Sequence, residues 1–136
     1  MSNGSSELRQ RLADYWSGHA PGLVAGDAVF HELGSGLDYH GTADIDAMLH
    51  WFYNVALDAR AVPKKVILDE SGEAAAVAGR VVGRHIGEFA GVPATGKEIN
   101  VQLCVTYAIE GDRIREAWVY FNMPEFMRQV GAAPVA

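Results

Sequence analysis

Between Ile99 and Asn122 the chain alternates apolar and polar residues on both sides of a Gly111-Asp112 pair, and this is its most restrictive feature. A period of two belongs to a strand, because successive side chains leave opposite faces of the backbone. Ile99 to Glu110 places Val101, Leu103, Val105 and Tyr107 on one face and Gln102, Cys104, Thr106 and Ala108 on the other. Arg113 to Asn122 continues the alternation, with Ile114, Glu116, Trp118, Tyr120 and Asn122 sharing a face. A Gly-Asp step between two such runs predicts a tight hairpin. A hairpin with one greasy face is not stable alone, so the remaining chain must cover it.

The preceding residues supply helices first and strands second. Ser6 can cap a helix in which Leu8, Leu12 and Tyr15 or Trp16 recur at helical spacing, stopped by Gly18 and Pro21-Gly22. A short helical or irregular piece is expected up to Gly26, then a strand from Ala28 to Gly34 and a loop to Gly41. Thr42 caps the longest predicted helix, Thr42 to Leu57, whose stripe is Ile45, Met48, Leu49, Phe52, Val55 and Ala56. From Ala61 the period changes, and strands are expected to Leu68 and over Ala74 to Ile86. Glycines at 79, 83, 87 and 91 permit bends in the sheet wall. Pro124 opens a short helix that ends before Gly131. Helices followed by a meander predict an α+β fold, with helices packed on one face of a curved antiparallel sheet.

Composition narrows the function. The 136 residues suit a single domain, expected over 6–131 with flexible ends at 1–5 and 132–136. A net charge of −6 without a basic run argues against nucleic acid and anionic membranes as partners. The one cysteine, Cys104, leaves no internal disulfide and no multi-cysteine zinc site. No apolar run approaches a membrane span, and the first ten residues hold no apolar signal core, so a cytoplasmic protein is expected. The five histidines show no i, i+4 pairing and no ligand set, so no metal is expected.

No phosphate loop, dinucleotide fingerprint or nucleophile elbow is present. His85 shares strand parity with Val77, Val81 and Gly83, opposite Arg80 and Arg84, and is therefore expected to face inward. An inward imidazole is either a proton shuttle or a core histidine bonded to a carbonyl. Asn122 stands at a strand end, where its amide needs partners and such positions often rim pockets. Tyr15, Trp16, Tyr39, His40, Trp51 and Tyr53 supply amphipathic rings that either pack or line a pocket suited to a flat aromatic ligand.

Several segments resemble one family. They are the strand and loop from Gly83 to Lys97, with its Gly-Val-Pro-Ala-Thr-Gly-Lys end; the hairpin Glu110 to Trp118; the closing Met127 to Gly131; and the helix entry at His40-Gly41. Together they resemble the SnoaL-like polyketide cyclases of the nuclear transport factor 2-like superfamily. The resemblance implies a cone-like α+β barrel with a deep pocket, commonly a homo-oligomer. It also implies aldol ring closure on a polyaromatic ester without cofactor, through an aspartate four residues after the tryptophan. Here that position is Asn122, and an amide cannot exchange a proton usefully near neutral pH.

The expected function is therefore a cofactor-independent enzyme acting on a bulky, apolar, carbonyl-bearing, polyketide-like molecule by proton transfer, aldol-type cyclisation or isomerisation. A hydroxylase-like member and a non-catalytic binding protein are the alternatives. His85 is the expected acid or base, and Asn122 and Tyr120 donate hydrogen bonds to a developing enolate. Tyr15, Trp51, Trp118, Gln102 and Phe52 are expected to hold the substrate. A homodimer is expected through Val101, Leu103, Val105 and Tyr107, if the Gln102 side faces the pocket.

Overall fold

A computed structural model describes residues 2–19 and 22–132. Helix α1 runs Ser2–Gly18, so the residues expected to fray are already helical from Ser2; Met1 and residues 133–136 lie outside the described residues. The strands are β1 (Val24–Glu32), β2 (Leu37–His40), β3 (Leu57–Leu68), β4 (Ala74–His85), β5 (Glu98–Glu110) and β6 (Arg113–Phe121). Helix α2 is Gly41–His50, continued by a π-helical turn at Trp51–Ala56, and α3 is Met123–Val130.

The six strands form one sheet in the order β2-β1-β6-β5-β4-β3. The α+β class is as expected, and every pair is antiparallel except β1 with β6, which run parallel. The sheet is curved but not closed into a barrel, since β2 and β3 remain its two edges. Strand β1 begins at Val24, in place of the helical or irregular piece expected up to Gly26. Strand β2 falls inside a predicted loop: its four residues carry no periodic signal, and only pairing with β1 makes them a strand.

One face of the sheet takes the helices. Leu8, Leu12, Tyr15 and Trp16 of α1 are buried with Val77, Val81, Val101, Val105 and Tyr107 of the central strands. Strand β3 passes close to Gly79 and Gly83 of β4. A Cβ at Gly79 would stand 2.1 Å from the Val62 carbonyl oxygen and 2.9 Å from the Trp16 ring, and one at Gly83 would stand 2.1 Å from the Asp58 carbonyl oxygen. Neighbouring backbone occupies the space of a side chain, so these positions accept only glycine without displacement.

Face assignment on β6 departs from strict alternation. The register with β5 shifts between Ala108 and Ile109, inserting one extra residue in β6. Such a bulge reverses the in/out sense beyond it. Ile114 and Ala117 therefore both point inward and are fully buried, while Glu116, Trp118 and Tyr120 face out.

On that outer face His31 joins three strands. Its Nδ1 lies 2.7 Å from an Asp38 carboxylate oxygen on β2 and its Nε2 lies 2.5 Å from one of Glu116 on β6. The ring stacks on Trp118 at 5.6 Å. The hydrogen bond to Glu116, then the one to Asp38, holds its pKa above the ordinary value, against a smaller opposing effect of burial. A raised pKa means the folded state binds the proton more tightly than the unfolded chain does. The clamp's contribution is thus complete below the ordinary histidine pKa of about 6.5 and is lost as pH rises through the raised value. Urea midpoints measured across this window should fall with pH in the native protein and lose this component in His31→Gln. A variant with the same pH slope as the native protein would show that His31 does not supply it.

Candidate active site

Between the helices and the inner sheet face lies a chamber of about 340 Å³. Its walls are mostly rings: Trp16, Phe30, Trp51, Phe52, Phe89 and Phe121. Phe52 meets Phe89 and Phe121 edge-on at 5.4 Å each, which fixes the far wall. The π-helical turn matters here. The helix predicted to run on to Leu57 widens at Trp51, and Trp51, Phe52 and Tyr53 of that turn all line the chamber.

The polar tips gather in one place: Tyr15, Tyr53 and Tyr107 line the chamber, lie near one another and are largely buried. Trp16 donates its indole N–H to the Tyr107 hydroxyl at 2.8 Å, which leaves the Tyr107 proton free to donate. The Tyr15 hydroxyl is enclosed and has no hydrogen-bond partner among the described residues. Burial pushes the Tyr15 pKa up, and the charge of Asp46 pushes it further. Burial likewise raises Tyr53 and Tyr107. All three phenols therefore stay protonated and keep a proton that they can donate.

His19 completes this group. It follows α1 with φ of +52°, a left-handed conformation that costs a non-glycine residue about 1–2 kcal/mol. Its ring stands 5.4 Å from that of Tyr15, edge-on, and 4.9 Å from that of Tyr53. Burial lowers its pKa, and the charge of Asp46 partly opposes this. The imidazole is thus neutral near pH 7 and able to accept a proton, with a carboxylate near enough to stabilise the resulting cation.

Of the residues expected at the site, Tyr15, Trp51 and Phe52 line the chamber. His85, Tyr120, Asn122, Trp118 and Gln102 are not among its linings, and Gln102, Tyr120 and Asn122 line a separate hollow instead. His85 does face inward and is fully buried, but Phe126 stands against its ring at 5.2 Å and packs on the chamber residue Phe89 at 5.0 Å. Its Nδ1 is bonded to the Thr95 hydroxyl at 2.9 Å, while Nε2 is enclosed without a partner. Asn122 caps α3: its Oδ1 accepts from the Glu125 N–H at 3.1 Å and its amide donates to Gln102 at 3.1 Å. Tyr120 is 48% exposed on the outer face, beside Gln102 and Cys104.

The outer face also differs from the dimer expectation. Val101, Leu103, Val105 and Tyr107 point into the core, and the Gln102 side faces out, so the apolar patch invoked for a dimer is not on the surface. Among the described residues no group of three His, Cys, Asp or Glu is arranged to hold a metal, and no helix is long and apolar enough to cross a membrane.

His19, Tyr107 and Glu32 also line the chamber and were not singled out from the sequence. One signal for His19 was present: it follows Tyr15 at i+4, the spacing that places two side chains on one helical face.

Asn122 as a helix cap makes a direct prediction. Asn122→Ala should cost about 1 kcal/mol, as lost N-caps typically do, read as a lower urea midpoint. Asn122→Asp keeps the capping oxygen and should leave turnover in the chamber unchanged. A gain of turnover in Asn122→Asp would place this residue in the chemistry after all.

The model of the SnoaL-like polyketide cyclase family matches residues 6–130, and the chain belongs to that family. Among curated proteins none matches significantly. Solved structures share the fold. A candidate SnoaL-like polyketide cyclase from Jannaschia sp. CCS1 is similar over 95% of this chain and 92% of that one, with 19% identity and a TM-score of 0.76. AclR, a candidate hydroxylase from Streptomyces galilaeus, is similar over 95% and 96%, with 20% identity and a TM-score of 0.71. IdmH, a candidate polyketide cyclase from Streptomyces antibioticus, is similar over 93% and 98%, with 22% identity and a TM-score of 0.71.

Proposed function

We propose that the chamber is the active site of a cofactor-independent enzyme that enolises a flat, apolar, carbonyl-bearing, polyketide-like molecule, for aldol-type ring closure or isomerisation. The observation that carries this reading is the enclosed, unpartnered Tyr15 hydroxyl beside a neutral His19. A buried donor without a partner is costly, and a ligand carbonyl would satisfy it once the side chains that enclose it shift aside.

In this reading His19 removes a proton from the carbon next to the carbonyl. The C–H electrons move into the enolate, whose oxygen accepts hydrogen bonds from Tyr15 and Tyr107. The enolate carbon then attacks a second carbonyl of the same molecule, or is reprotonated at another carbon. His19 returns its proton to the new alkoxide or carbon, so the enzyme ends as it began. Positioned acid/base catalysis is worth typically 10²–10⁴-fold, and one donor to a developing oxyanion about 10²–10³-fold. The rings exclude water and orient the substrate. His85 and Asn122 then serve structure, the first behind Phe126 and the second as a cap.

The test is exchange of the α-protons of 2-tetralone, an enolisable bicyclic ketone, in deuterated buffer followed by NMR. Exchange above the buffer rate, competed by 2-naphthol as a flat mimic of the enol, is the expected result. Binding of 2-naphthol without any exchange would replace the enzyme with a binding protein. Incorporation of labelled oxygen into a product would replace it with a hydroxylase.

A further inference from the structure

His19 and Glu32 are the only histidine, carboxylate or basic linings of the chamber among the described residues. Glu32 lies at the end of β1, on the same strand face as Phe30, next to the exposed turn that rims the chamber. One Glu32 carboxylate oxygen accepts from the Gly34 N–H at 2.9 Å and the other from the Ser35 N–H at 2.7 Å. These bonds hold the group in place. Each oxygen keeps a further lone pair, and no Lys, Arg or His among the described residues forms an ion pair with it.

The neighbouring rings add to this. Tyr39 and Trp51 line the same rim, and aromatic faces carry a negative quadrupole that attracts cations. Burial raises the Tyr39 pKa and the charge of Glu32 raises it further, so the phenol offers no competing anion. A free carboxylate or phosphate on a ligand would find no positive side chain in the lining, and it would face Glu32. A cationic group would find one fixed carboxylate and two ring faces.

We propose that the ligand of this chamber is a flat aromatic compound bearing an ammonium group, that Glu32 with Tyr39 and Trp51 receives that group at the rim, and that Glu32 thereby determines specificity. The proposal rests on the chamber being the ligand site, and it deepens that reading by naming a substituent. The phenols and His19 then handle a carbonyl, while Glu32 with its neighbouring rings selects charge.

The experiment compares three naphthalenes of nearly one shape by calorimetry at pH 7: 2-(aminomethyl)naphthalene as the cation, 2-naphthalenemethanol as the neutral partner and 2-naphthoate as the anion. The native protein should bind the cation about tenfold more tightly than the alcohol, the scale of a partly desolvated cation among rings and a carboxylate, and the anion most weakly. Glu32→Gln should bring the cation close to the alcohol and leave the alcohol itself unchanged. Equal binding of cation and alcohol by the native protein overturns the proposal, as does a cation preference that survives Glu32→Gln. If the variant also loses the alcohol, the rim turn has been disturbed, and the native comparison of the three probes decides alone. Failure of all three probes to bind removes the chamber reading with it. Binding of the alcohol without charge preference removes only this inference.

Discussion

Tyr15→Phe is expected to slow 2-tetralone exchange by about 10²–10³-fold, the usual loss when one donor to a developing oxyanion is removed. The change deletes one oxygen from a ring that is 4% exposed, so the packing of α1 should survive. It should in fact be well tolerated by the empty protein. The deleted hydroxyl has no partner to leave behind, and an enclosed polar atom is replaced by hydrogen. Stability unchanged or raised, with exchange nearly abolished, is the combination a structural role for Tyr15 would not produce. His19→Gln should have a comparable or larger effect on the same rate, since it removes the base. It should also remove the ionisation that limits exchange on the acid side. Burial lowers the His19 pKa, so the native rate should fall only below the ordinary histidine range. Exchange that continues unchanged in both variants would move the chemistry away from this group of side chains.

Phe126→Ala is expected to cost about 3–5 kcal/mol, the range for truncating a fully buried aromatic side chain. Phe126 is 0% exposed and stands between two sets of rings, with Phe89 at 5.0 Å and Phe121 at 6.0 Å on the chamber side and His85 at 5.2 Å behind. Helix α3 has eight residues, too few to persist without tertiary packing. Its other anchors are the buried Val130, with Met123 and Met127 packed on the core, and a set of polar contacts. Glu125 accepts from the Gln102 N–H at 2.6 Å and from Arg80 at 3.1 Å, and Gln129 exchanges two hydrogen bonds with the Asn100 backbone. Truncation would leave a hole linking the enclosed His85 Nε2 to the back of Phe89 and Phe121. A lower urea midpoint and weaker 2-naphthol binding should therefore appear together. A loss below about 1 kcal/mol would mean that the other anchors, and not the ring, hold α3 in place.

Much of the fold was legible because it rests on local periodicity. The β5–β6 hairpin, β4 and α3 follow from alternation, caps and turn residues that each segment carries within itself; the first part of α2 follows from its apolar stripe, but it starts at Gly41 behind His40 with no side-chain cap, so Thr42 is not the cap expected of it. The inward aim of His85 followed in the same way, from the parity of Val77 and Val81. The failures have a common origin. Strand β2 has four residues and exists by pairing with β1. The tail of α2 became a π-turn where three rings turned toward one cavity. The bulge opposite Ala108 and Ile109 belongs to the register between two strands, a relation that neither strand records alone.

The candidate site divides along the same line. The amino-acid order by itself determined an α+β chain of this family, rich in rings and acidic overall, because composition and short-range spacing are properties of the chain. Only the tertiary structure decided which polar tips converge. It brought Tyr15, His19, Tyr53 and Tyr107 together and set Asn122, Tyr120 and Trp118 aside, because strand parity, one inserted residue and the position of Phe126 are settled when faces pack against each other. A side chain's residue type is local, but the volume it shares is not.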